Sequence, residues 1–202
     1  MWKPLIGKSM VNKVYLENFE SRMTDELLRL CKQYDVLDGT LLMTDDIDAR
    51  WEDLVVWYLK DAIPNIASYP TVAIAWAGYI GMAVAHQWDS DWAAHCKDAY
   101  DSLYGPAGFD DMDEHIVQNV LGFHLESKEA KRIEEMMRRL GEKALTLIRR
   151  ENIEPQSPMA FHTYARAIKV VYRIGAAIEL KRLGYKFEKI NLPNAGGGMA
   201  QC

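Results

Sequence analysis

The chain has 202 residues, of which 49% are hydrophobic and 26% charged, and a formal net charge of −5. That length and apolar content suffice for one domain with a substantial core, and the acidic total argues against a dedicated nucleic-acid binder, which is usually basic overall. The charge is uneven: residues 1–126 carry 21 Asp and Glu against 9 Lys and Arg, and residues 127–202 carry 8 against 15. An acidic part and a basic part of this kind meet inside the fold or across a homodimer, or offer a basic face to an acidic partner.

Lys3, Lys8 and Lys13 interrupt the first residues, so no continuous apolar segment of a secretory signal is read there. Cys31, Cys96 and Cys202 stand far apart with no CxxC, a spacing that predicts reduced thiols and a cytoplasmic location.

The first element is helical. Leu16, Phe19, Met23, Leu27, Leu30 and Tyr34 recur at i, i+3, i+4 spacing, and the stripe ends near Leu37-Asp38-Gly39. Asp45 and Asp46 are expected to cap a second helix with Trp51, Leu54, Val55, Tyr58, Leu59 and Ala62 on its buried face. Pro64 and Pro70 punctuate the connection that follows.

A third helix is expected from about Thr71 toward Leu103, stopped by Gly105-Pro106, with a break near Asp89 to Asp91 considered because of its length. Its uncharged apolar run, Val72 to Ala85, is 14 residues long. A bilayer span needs about 20, so the run reads as a buried core helix and no membrane span is expected. A short fourth helix is expected over Asp110 to His124. Ser127 caps a fifth, with Ile133, Met137, Leu140, Ala144 and Ile148 facing inward. Ser157-Pro158 opens a sixth that ends at Leu183-Gly184. An extended piece over 185–188 and a flexible Gly-rich tail over 191–202 complete the reading. The expected fold is all-α, a single domain over 1–190 built as a bundle or orthogonal array of about six helices.

The stretch IGMAVAHQWDSDWAAHC, residues 80–96, concentrates side chains with chemical potential. His86, Asp89, Asp91 and His95 suggest metal ligands by type. A helix turns about 100° per residue, so on a continuous helix Trp88, Asp91, Trp92 and His95 share one face while His86 and Asp89 lie opposite. The apparent four-ligand set then splits into two half-sites. Trp88, Asp91, Trp92 and His95 are the candidate ligand-binding residues. Asp91 and His95 are expected to form an i, i+4 hydrogen bond at the wet end of a packing face made of Ala77, Gly81, Val84 and Ala85.

No metal or other cofactor is expected. Were a metal bound, His86, Asp89, His115 and His124 would be its ligands. An adjacent His-Asp pair, Glu-x-x-His repeats, HExxH, GxSxG and a phosphate-binding glycine loop are all absent from the sequence.

On the sixth helix Arg166, Lys169 and Arg173 form a basic stripe. It serves as the solvated side of an amphipathic helix, paired with the acidic N-terminal region, or as a weak site for RNA or an acidic ligand. The leading functional expectation is an intracellular protein that works by protein-protein interaction or homodimerisation, without catalysis. The alternative is a metal-dependent hydrolase or small-ligand-binding protein using the His86–His95 region.

Overall fold

A computed structural model describes residues 12–186. The expected Gly-rich tail, Cys202, half of the extended piece and the first eleven residues lie outside them. The described residues form six α-helices and no strands, and 74% of the structure is helical. In chain order these are α1 (Lys13–Gln33), α2 (Asp45–Asn65), α3 (Val72–His95), α4 (Met112–His115), α5 (Lys128–Arg150) and α6 (Pro158–Arg182). The all-α bundle expected from periodicity is the observed class.

Side-chain caps place several helix starts. Asn12 Oδ1 accepts from Tyr15 N at 3.0 Å, Ser127 Oγ from Ala130 N at 3.1 Å and Ser157 Oγ from Ala160 N at 3.1 Å, each satisfying an amide that the first turn leaves unbonded. At α2 the cap is Thr44, whose hydroxyl accepts from Ile47 N at 3.2 Å. Asp45 and Asp46 fall inside the first turn, where they complement the helix dipole instead. Helix α1 stops earlier than Gly39, because Asp35 already adopts a left-handed backbone with φ of 55°.

Helix α3 is the axis of the molecule. Every residue from Ala73 to Ala85 is buried, the pattern of a helix enclosed on all sides. It packs most extensively on α6, with α2 and α5 covering other sides. The α3–α6 contact is a backbone approach: a Cβ added at Gly81 would collide with the Tyr172 carbonyl, and one at Gly175 with the Gly78 carbonyl.

Three boundaries differ from the sequence reading. Helix α3 ends at His95, with non-helical φ and ψ of −163° and 84° at Asp91. The fourth helix shrinks to the single turn of α4, flanked by a 3-10 turn at Phe109–Asp111 and a π turn at Ile116–Val120. There Leu121 N bonds Ile116 O at 2.9 Å, and Gly122 leaves the turn with φ of 74°. Pro64 sits within the last turn of α2 rather than in the connection after it. Among the described residues, no helix is long and apolar enough to cross a membrane.

Candidate functional site

The break at Asp91 decides how the 80–96 stretch is arranged. Asp91 leaves helical geometry and its Oδ1 accepts from Ala94 N at 3.1 Å. It therefore caps a last turn. His95 bonds Asp98 through Nδ1 at 2.7 Å, so the expected Asp91–His95 pair is replaced by two separate local bonds. Trp88 Nε1 donates to Asp46 Oδ2 at 3.3 Å, and its ring meets Tyr185 edge-on at 5.8 Å. Tyr185 in turn donates to Asp89 Oδ1 at 2.7 Å. Trp92 packs against the core with its indole N–H buried and unpartnered. The four candidate ligand-binding residues thus turn to different neighbours.

His86 belongs to another group. Its Nδ1 lies 2.8 Å from Oε1 of Glu179, a carboxylate with no exposed surface. Arg182 completes the arrangement, with Nε donating to Glu179 Oε2 at 2.7 Å, Nη2 to Oε1, and its guanidinium over the Phe123 ring at 4.8 Å. A buried charge must be paired, and here one carboxylate is satisfied by an arginine and an imidazole at once. Sequence reasoning missed Glu179 and Arg182. The signal was present, because Glu179 stands one helical turn after Gly175 on the apolar stripe of α6, where an acid needs a partner.

The histidines do not converge. His124 Nδ1 accepts from Glu126 N at 3.2 Å, and His115 closes the turn of α4. Among the described residues, no group of three or more His, Cys, Asp or Glu could hold a metal ion. Cys31 is a buried free thiol pushed up to about 12 by desolvation, far from an activated thiolate.

The basic stripe of α6 is occupied internally. Arg173 grips Asp48 with Nε at 2.6 Å and Nη2 at 2.8 Å, and reaches Glu20 at 2.7 Å. Arg166 also pairs with Glu20, and Lys169 with Glu52 at 2.7 Å. Hydrogen bonding from Arg173 holds the Asp48 carboxyl below its usual range, against the opposing effect of burial. Acidic residues of α1 and α2 and the basic α6 therefore meet within one chain.

Two surface features remain. A groove of about 820 Å³ lies over Met82, Ile133, Met136, Met137 and Ile178. Of the basic residues lining it, Arg139 is paired with Glu135, Arg182 with Glu179, and Lys181 with Asp38. On the far side of α2, Val56, Trp57 and Ile63 are 67%, 54% and 43% exposed, and Tyr69 just beyond is 63% exposed. The ammonium of Lys60 sits 5.6 Å from the Trp57 ring. Trp51, Leu54, Tyr58 and Ala62 fill the opposite, buried face, so α2 is apolar on two sides and, among the described residues, only one is covered. That second side was readable as Val56-Trp57 out of phase with the core stripe.

Comparison with known protein families, with characterised proteins and with solved structures found no match.

Proposed function

We propose that this protein works by binding another protein chain, without catalysis, and that the outer face of α2 is the contact surface. The observation carrying the proposal is the exposed set Val56, Trp57 and Ile63. Large side chains of this kind clustered on one face mark interaction surfaces, whereas single exposed apolar residues are ordinary. Tryptophan and tyrosine are also the residues most often responsible for binding energy at such surfaces.

The catalytic alternative draws little from the geometry. His86 is oriented by Glu179, but the pair has no third metal-ligating residue grouped with it among the described residues. The RNA option loses its cations to Glu20, Asp48 and Glu52. Small-ligand binding keeps one supporting feature, the methionine-floored groove beside α5 and α6.

The proposed location is cytoplasmic, on the wide cysteine spacing and the buried free thiol of Cys31. Thiol titration of protein extracted under alkylating conditions tests it, with reduced cysteines the expected result and oxidised ones the result that contradicts it.

A photo-crosslinking amino acid placed at position 57, with a control at the exposed position of Glu17, tests the contact surface in cells that express the protein. Protein adducts at 57 that are absent at 17 are the expected result. Equal labelling, or none at 57, contradicts the proposal.

A further inference from the structure

We infer that the partner seated on α2 is a second copy of the same chain, with the two α2 helices antiparallel about a twofold axis between Val56 and Trp57. This inference rests on the reading of that face as a contact surface and adds the identity and orientation of its occupant.

The pattern of the face carries it. Ala49, Asp53, Val56, Trp57, Lys60 and Pro64 are all exposed, and at about 100° per residue they fall within one sector of the helix. Their chemistry is symmetric about the midpoint of Val56 and Trp57. Counting outward, Val56 mirrors Trp57, Asp53 mirrors Lys60, and Ala49 mirrors Pro64. Apolar positions thus map onto apolar ones, and the acid maps onto the base.

A twofold axis at that midpoint, perpendicular to the helices, sets each residue level with its mirror position on the other chain. Asp53 then faces Lys60 of the second copy, and Lys60 faces its Asp53. The two charges are two turns apart on each helix, about 10 Å, so both pairs form together. The Trp57 rings approach each other on one side of the seam, and the Val56 side chains do so on the other. A parallel arrangement in register would instead set Asp53 against Asp53 and Lys60 against Lys60. The charges therefore select antiparallel pairing, as polar residues in helix seams select register and orientation.

Among the described residues, nothing else holds these charges strongly. Asp53 has a single bond to Arg50 at 3.3 Å and a side chain 71% exposed. Lys60 touches only the Trp57 ring among the contacts described. By contrast, Glu52 and Asp61, which lie beside the seam, are already engaged by Lys169 and Tyr104. Within the seam, the charged residues left for a partner are the two that complement each other across the axis.

Sedimentation equilibrium on the full chain, as wild type, Asp53→Lys, Lys60→Asp and the double charge exchange, tests the pairing. The wild type is expected to dimerise at micromolar concentration. Each single exchange sets like charges together twice and weakens the dimer at least about tenfold, and the double exchange restores it to within about threefold. Circular dichroism checks that all four remain folded. A wild type that stays monomeric at high micromolar concentration, or a double exchange no better than the singles, overturns the antiparallel self-pairing.

Mass analysis of the position-57 adduct separates this inference from the reading beneath it. An adduct of two copies of this chain supports both. An adduct with a different protein overturns self-pairing and leaves the contact surface standing, and the absence of any adduct overturns both.

Discussion

Glu179 shows how much one side chain organises. It is fully buried, yet it serves Arg182 through both carboxylate oxygens and His86 through one. Glu179→Gln keeps the shape and removes the charge, leaving Arg182 facing a neutral amide. A loss of about 2 kcal/mol is expected, since hydrogen bonds to charged groups contribute on that scale and both partners keep some solvent contact. Chemical denaturation of the variant and wild type measures it.

Arg173 makes a different prediction because its effect depends on pH. Its bonds hold the Asp48 carboxyl below the usual range. A carboxylate with a lowered folded pKa contributes stability above its unfolded value, near 4, and that contribution is lost as pH falls through the folded value. Arg173→Met removes it. The variant should be less stable by about 2 kcal/mol near neutrality, and its deficit should shrink below about pH 4, where the wild type loses the same contribution. Thermal melts over an acid series test this, and a deficit independent of pH would assign the loss to packing instead.

At the scale of elements, the close crossing of α3 and α6 gives the sharpest contrast. Gly81 faces the Tyr172 carbonyl, which cannot move without moving the helix, whereas Gly78 faces the flexible end of Met137. Gly81→Ala should cost about 3 kcal/mol or more. Gly78→Ala should cost less than about 1 kcal/mol, because Met137 can shift and alanine favours the helix. Melting temperatures of the two variants decide the ranking, and equal losses would contradict it.

Helices were legible where one apolar stripe dominates. Leu16 to Leu27 on α1 and Ile133 to Ala144 on α5 repeat cleanly, and Ser127 and Ser157 are caps with one reading. Legibility failed where the determinant lies away in sequence or within the backbone. The end of α3 is set by an Asp91 turned into a cap, and the segment after α4 widens into a π turn, neither of which periodicity encodes. The candidate site was legible in its residue types and misleading in its grouping. Trp88 is bonded to Asp46 and His86 to Glu179, partners 42 and 93 residues away in the chain. No spacing within 80–96 contains them. The outer face of α2 was visible in the sequence as Val56-Trp57, but an amphipathic helix leaves its second face without a meaning until the bundle shows that none of the described residues covers it.

For the molecule as a whole, the opposite charges of the two parts of the chain are brought together within the fold. Glu20, Asp48 and Glu52 on α1 and α2 neutralise Arg166, Lys169 and Arg173 on α6, so the basic stripe holds the bundle together. These pairs are partly exposed, and exposed pairs are screened by salt. What the internal pairing leaves outward on α2 is an apolar face with one acid and one base, and that face is where the account places function. Oxidative footprinting by hydroxyl radicals, on protein at its cellular concentration and on the same protein diluted and purified, measures burial of each side chain directly. Trp57 and Ile63 should be protected in the cellular sample and react after dilution, while exposed Val14 and Phe161 react equally in both. Trp57 reacting at the same rate in both samples would contradict the assignment of α2 as the contact surface.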